Sequence, residues 1–140
     1  MKLLPRYDVG NVNELSPVLL AYVGDAVYEL YVRTRLLTRG NRPVREVHNE
    51  AVSLVRASTQ AKLLKEIARE LSDEEKEVIR RARNAKKLTP PRHTDASDYR
   101  LSTGLEALLG YLYLKGEKER LEKYLDLAWA KFEQLQLLAI

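Results

Sequence analysis

The chain has 140 residues, 24 Lys plus Arg against 20 Asp plus Glu, a formal net charge of +4 and no cysteine. That length suits a single domain over residues 1–140, and an apolar share of 45% is enough to bury a core. The lack of cysteine excludes disulfides, thiolate catalysis and Cys–zinc centres. No run of about 18 apolar residues marks a membrane span and no signal-peptide pattern opens the chain, so a cytoplasmic protein with no membrane partner is expected.

Apolar spacing is helical nearly throughout, with no sustained strand alternation and no hairpin dipeptide, so the fold class is all-α. The first helix opens at Ser16 as N-cap with Pro17 at the first helical position, and ends near Thr38 to Gly40. Its apolar positions are Leu19, Leu20, Val23, Ala26, Val27 and Leu30. A second helix is expected from Val44 to Leu71, with a stripe of Val47, Ala51, Leu54, Val55, Ala61, Leu64 and Ala68. The small residues Ala57-Ser58-Thr59 interrupt that stripe and mark a bend. Ser72 and Glu75 have the spacing of a capping box and start a third helix that runs to about Ala85. A loop broken by Pro90-Pro91 follows. A fourth helix is expected from Ser97 to Lys115, with Gly116 as the left-handed residue that ends it. A fifth runs from Glu117 to Leu138, its apolar side formed by Leu121, Tyr124, Leu125, Ala128, Trp129, Phe132 and Leu135.

Two positions break these patterns. Asp25 follows Gly24 in the middle of the first helix, although Asp is a weak helix former and Gly costs about 1 kcal/mol relative to Ala there. Glu106 stands among Leu105, Ala107, Leu108 and Leu109 in the fourth helix, with Gly110 one turn on. Gly24 and Gly110 remove side-chain bulk beside each acid, so the two helices can approach and bring Asp25 and Glu106 face to face. Two facing carboxylates repel and desolvate at a cost of several kcal/mol. A hard divalent cation, Mg²⁺ or Mn²⁺, relieves that cost and keeps water ligands for chemistry. The competing reading makes both acids surface residues paired with Lys or Arg.

The positive charge is local. Residues 78–94 carry six basic side chains and no acid, leaving the remainder at −2. Arg80, Arg81, Arg83, Asn84, Lys86, Lys87 and Arg92 form the candidate nucleic-acid contact, with Thr94 and Ser97 as weaker additions. The competing reading is a solvated helix end whose cations meet the helix dipole. His48 reads as a packing or surface residue, and His93 matches no metal-ligand spacing. Tyr22, Tyr28, Tyr31, Tyr111 and Tyr113 flank the acidic positions and read mostly as core or dimer contacts, with a hydroxyl grip on a carboxylate as the competing reading for one of them. Trp129 and Phe132 read as core.

YVGDAVYELYV (Tyr22 to Val32) resembles the signature helix of ribonuclease III catalytic domains, and GLEALLGYLYL (Gly104 to Leu114) resembles the second acidic helix of that fold. The 81-residue separation of the two acids suits the domain, and the resemblance covers nearly the whole chain. RRARNAK (Arg80 to Lys86) and YRLSTGLEALLGYLYL (Tyr99 to Leu114) are similar to the branch that consists of the catalytic domain alone, the Mini-ribonuclease III proteins. The resemblance implies an all-α, homodimeric, Mg²⁺-dependent endoribonuclease that cuts double-stranded RNA to leave 5′-phosphate ends. It implies Asp25 and Glu106 as catalytic metal ligands and precursor large-subunit (23S) ribosomal RNA as substrate. No double-stranded RNA-binding domain is expected, so the RNA grip falls to the catalytic domain. The chain departs from larger relatives where they carry further acids: Ala21 and Thr103 stand at two such places, and Glu46 or Glu50 is open as a third. These departures support the alternative, a non-catalytic double-stranded RNA-binding protein of the same fold. A helical protein-interaction module is a further alternative that leaves the basic cluster unexplained.

Overall fold

The computed structural model describes residues 7–85 and 89–135. Among these residues there is no strand, and the chain builds six α-helices: α1 Pro17–Leu37, α2 Val44–Val55, α3 Ala57–Ile67, α4 Asp73–Arg83, α5 Ala96–Lys115 and α6 Lys118–Gln134. Short 3₁₀ turns lie at Val12–Glu14 and Ala68–Glu70.

The starts and stops follow from local chemistry. Ser16 accepts a bond from the Val18 N–H at 3.2 Å ahead of Pro17. Ser72 and Glu75 close a full capping box on α4. Asp95 caps α5 by accepting from the Asp98 N–H at 2.9 Å, one residue earlier than the expected start at Ser97. Gly116 ends α5 with φ 76°. The expected extension of α6 to Leu138 falls outside the described residues beyond Leu135.

The single helix expected from Val44 to Leu71 is two helices. Arg56 is extended (φ −65°, ψ 154°) and breaks the ladder between α2 and α3. Polar side chains take over the backbone groups that the break frees. The Thr59 hydroxyl donates to the Ser53 carbonyl at 2.7 Å, and the Gln60 amide donates to the Val55 carbonyl at 2.9 Å. The elbow lets α2 lie on α1 while α3 lies on α5.

The bundle is organised around α5, which packs against α1, α3, α4 and α6. From Ser102 to Leu112 every residue of α5 except Glu106 is buried. Leu20, Val32, Leu36, Leu54, Leu63, Leu108, Leu109, Leu112, Tyr28 and Phe132 are among the deepest side chains, each large apolar one contributing about 1.5–3 kcal/mol by burial. α6 presents the face expected of it, with Trp129 edge-to-face against Phe132 at 5.8 Å. Glu75 is buried and holds α4 to α6 by accepting from Arg120 at 2.6 and 2.7 Å and from the Tyr124 hydroxyl at 2.6 Å. Burial pushes that carboxyl up, but these bonds hold it down to about 2.

α1 turns a different face inward from the expected one. Its buried residues are Leu20, Ala21, Gly24, Tyr28, Val32 and Leu36, whereas Leu19 and Leu30 are 54% and 43% exposed. Gly24 sets the contact side, because it admits the α5 backbone where a larger residue would hold it off. No described helix is long and apolar enough to cross a membrane.

Candidate active site

α1 and α5 cross backbone to backbone. A Cβ on Gly24 would stand 1.6 Å from the Glu106 carbonyl oxygen, and one on Gly110 would stand 2.0 Å from the Leu20 carbonyl oxygen. No side chain fits at either position, so the two glycines are a requirement of the crossing.

That crossing sets Asp25 beside Glu106. Asp25 is exposed at the rim and Glu106 is half-buried. Burial, and then the Asp25 carboxyl within hydrogen-bonding reach, push the Glu106 carboxyl up to about 9, while the Gln60 amide pulls it down. Glu29 adds a smaller like-charge effect. The buried Tyr28 phenol, raised by burial and by the charge of Glu106, donates to the Leu54 carbonyl at 2.6 Å.

Neither Asp25 nor Glu106 is in an ion pair among the described residues. The surface-pair reading of these acids therefore does not describe them. Two facing carboxylates at a half-open rim are a fitting donor set for Mg²⁺, which takes one or two carboxylates and fills its other positions with water and substrate phosphate. Among the described residues no group of three or more His, Asp or Glu is arranged for a metal. Ala21 and Thr103 are both buried, and the Thr103 hydroxyl donates back to the Tyr99 carbonyl at 3.0 Å. Of the open candidates for a third acid, Glu50 is gripped by Arg42 at 2.9 and 3.0 Å, which lowers its pKa. Glu46 is exposed.

The basic stretch occupies the end of α4 and the loop beyond. Arg80 is bound by Glu77 at 2.6 and 2.9 Å, so its charge is largely answered within the helix. Arg81 is half-buried with its guanidinium 3.5 Å from the Asn13 carbonyl. Arg83, Asn84 and Arg92 are exposed. Lys86 and Lys87 lie outside the described residues. Arg100, not singled out from sequence, joins this surface by donating to the Arg83 carbonyl at 3.4 Å. Arg100 and Glu106 share α5, about 9 Å apart along its axis at 1.5 Å per residue.

His48 is exposed, and His93 sits in a loop at φ 66°. Tyr28 and Tyr111 are buried, Tyr31 and Tyr113 half-buried, and Tyr22 is 78% exposed. The Tyr31 hydroxyl binds a carboxylate, but that of Asp126 on α6 at 2.7 Å. Gln60, also missed from sequence, is 3% exposed and draws the Glu106 carboxyl down. A glutamine among the inward positions of α3 was the available signal.

The sequence profile of the ribonuclease III domain matches residues 19–117, which includes both carboxylates and the basic end of α4. A Mini-ribonuclease 3 of Thermoanaerobacter sp. is 49% identical over 123 residues, covering 88% of this chain and 87% of the relative. A Mini-ribonuclease 3 of Symbiobacterium thermophilum is 46% identical over 120 residues, covering 86% and 92%. A crystal structure of a Fusobacterium nucleatum protein superposes with a TM-score of 0.76 at 30% identity, covering 84% of this chain and 96% of that one. With that profile over most of its helices and relatives this similar along most of its length, the chain belongs to the ribonuclease III family, endoribonucleases of double-stranded RNA.

Proposed function

We propose that this chain is a cytoplasmic, homodimeric, Mg²⁺-dependent endoribonuclease in which Asp25 and Glu106 are the catalytic pair, acting on precursor 23S ribosomal RNA. The observation that carries the reading is the Gly24–Gly110 crossing, which holds two acids together with no ion pair to either among the described residues. Asp25 and Glu106 would hold Mg²⁺ (or Mn²⁺), which when bound supplies an activated water and a clamp on phosphate oxygens. The chain's own part is orientation. Both acids stand on helices, and α5 is fixed on nearly every side, so their separation is held without a flexible loop. Glu106 is half-buried, while Asp25 meets solvent where a phosphate arrives.

Arg83, Asn84, Arg92 and Arg100 lie on the exposed side, where a duplex backbone can be followed by shape. Dimerisation is supported by α1, which leaves Val18, Leu19, Tyr22, Leu30 and Leu37 exposed along its length. The non-catalytic alternative draws on Ala21 and Thr103, which offer the site no carboxylate.

The test is cleavage of a labelled RNA duplex, and of a structured ribosomal precursor, with Mg²⁺. Wild type is expected to cut, whereas Asp25→Asn and Glu106→Gln bind the duplex and do not cut. A wild type that binds both RNAs but cuts neither with Mg²⁺ or Mn²⁺ supports the non-catalytic reading.

A further inference from the structure

The charges of α3 are answered unequally. Lys62 and Lys65 on α3 and Arg69 on the 3₁₀ turn that prolongs it stand at i, i+3 and i+7, so they form one row on one side of the helix. All three are exposed. The other side of α3 carries Ala61, Leu63, Leu64 and Ile67, all buried, so the row looks away from the core.

Two acids lie beside the row. Glu66 is four residues from Lys62 and three from Arg69, the spacings at which ion pairs form within a helix. It takes neither. Its carboxylate meets Lys131 of α6 at 3.2 Å, and that of Glu70 meets Lys123 of α6 at 2.9 Å. Lys62, Lys65 and Arg69 are in no ion pair among the described residues. α6 thus satisfies the acids of this stretch and leaves its bases unanswered.

A solvated helix end does not account for the row. The helix dipole favours cations only in the last turn, which serves Lys65 and Arg69 but not Lys62, in the middle of the 11 residues of α3. Like charges three and four residues apart also repel. The kind of partner follows from what the row lacks. No large apolar residue of α3 is exposed. A protein interface has an apolar core and is poor in lysine, and a helix lying on a membrane needs an apolar side to bury there. A row of cations on a polar helix suits a row of phosphates, which duplex RNA supplies. The row is also distinct from the basic surface already described. Arg69 stands where α3 leads into the start of α4, whereas Arg83 ends α4, about 15 Å further on by the rise of that helix.

We propose that Lys62, Lys65 and Arg69 form a second contact for duplex RNA, separate from the basic end of α4, that follows the phosphates of one strand along α3. The inference uses the duplex RNA on which the family acts and is independent of the metal and of the catalytic pair.

The test is the salt dependence of binding to a long RNA duplex, measured in an Asp25→Asn parent with the duplex recovered intact. Lys62→Gln, Lys65→Gln and Arg69→Gln are combined in one variant, whose fold is checked by its melting curve. It should lower the slope of log K against log salt by up to about 2.7, three contacts at about 0.9 each, and weaken binding at least about tenfold at about 0.15 M salt. The control combines Arg45→Gln, Lys76→Gln and Lys118→Gln, which remove the same charge from exposed positions on α2, α4 and α6 and should leave the slope at the parent value. A folded α3 variant with the slope and affinity of the parent overturns the proposal. An equal loss in the control overturns it as well, assigning the effect to net charge. If Arg83→Ala and Arg92→Ala lower the slope while the α3 variant does not, the α4 surface stands and the α3 row alone fails. A parent that binds no duplex overturns both.

Discussion

Gly24→Ala should reverse the usual sign of a glycine substitution in a helix. In an ordinary helix interior the change to Ala gains about 1 kcal/mol. Here the new Cβ would lie 1.6 Å from the Glu106 carbonyl oxygen. Ordinary carbon–oxygen contact is about 3.3 Å, so α1 and α5 would have to part by roughly 1.7 Å. The obstacle is backbone, so no rotamer change relieves it. Overpacking costs about 1–3 kcal/mol and sometimes more, and parting the two helices also loosens the apolar contacts beside them. A net loss of about 3 kcal/mol is expected. At about 2.1 cal/mol/K per residue, a chain of 140 residues loses on the order of 10 °C in Tm. The same shift moves Glu106 from Asp25 by more than 1 Å, which costs about a hundredfold in cleavage rate. Gly110→Ala, with its Cβ 2.0 Å from the Leu20 carbonyl oxygen, should behave alike. Gly104→Ala is the milder comparison, because its Cβ would meet the Ile79 Cγ2 methyl at 3.0 Å and no backbone atom closer than 3.5 Å. It should cost about 1 kcal/mol, since one stiff buried methyl has to shift by a few tenths of an ångström. Thermal melts and duplex cleavage read out the series. A Gly24→Ala variant that melts higher than wild type, or cuts RNA at the wild-type rate, would refute the close crossing.

Metal-free stability should depend on pH through Glu106. Its folded pKa of about 9 lies above the ordinary 4.5, so its contribution is full below 4.5 and is lost as pH rises through about 9. Thermal melts in chelator should show Tm falling across that window, and Asp25→Asn should flatten the fall. Glu75 has the opposite sign: held at about 2, it contributes above 4.5 and that contribution disappears as pH falls through about 2. Arg120→Met, which strands that carboxylate in the core, should cost about 3–5 kcal/mol in denaturant titrations. In duplex binding, Arg83→Ala and Arg92→Ala should each reduce the slope of log K against log salt by up to about 0.9. Arg80→Ala should change it less, since Glu77 already holds that guanidinium. Tyr22→Glu, placing a charge in the middle of the exposed apolar side of α1, should shift sedimentation toward monomer.

The helices were legible because their ends carry unambiguous chemistry: Ser16-Pro17, the Ser72–Glu75 box and Gly116 act within one turn of themselves. The crossing was legible too, because glycine beside an acid in a helix is costly unless something needs the space. Less visible was which way each helix turns. Leu19 and Leu30 look like core residues, and only the α5 backbone seated against Gly24 shows that they are not. The break at Arg56 was half visible, as the Ala57-Ser58-Thr59 interruption. Its resolution into two helices depends on Thr59 and Gln60 reaching carbonyls five and six residues back, which no local periodicity encodes. Glu50 looked available until Arg42 was seen to grip it across the turn into α2.

The same geometry explains why the poorest helix formers of α1 stand at its centre. A helix buried on every side must be apolar on every side. From Gly104 to Leu112, α5 meets that demand except at Glu106. An acidic side chain on such a helix survives only where some part of its circumference is left uncovered by side chains. A crossing of two backbones at glycines leaves such a part. It brings the helices so close that no side chain fits between them, and a carboxylate beside the contact point reaches the rim. Asp25 on the other helix reaches the same rim for the same reason. The 1 kcal/mol or so that each glycine costs its helix is thus the condition under which two acids stand together on the most rigid part of the bundle. It is also why substitution at Gly24 or Gly110 should disturb stability and cleavage together, whereas substitution at Gly104, on the α4 side of the same helix, should cost a little stability and leave cleavage intact.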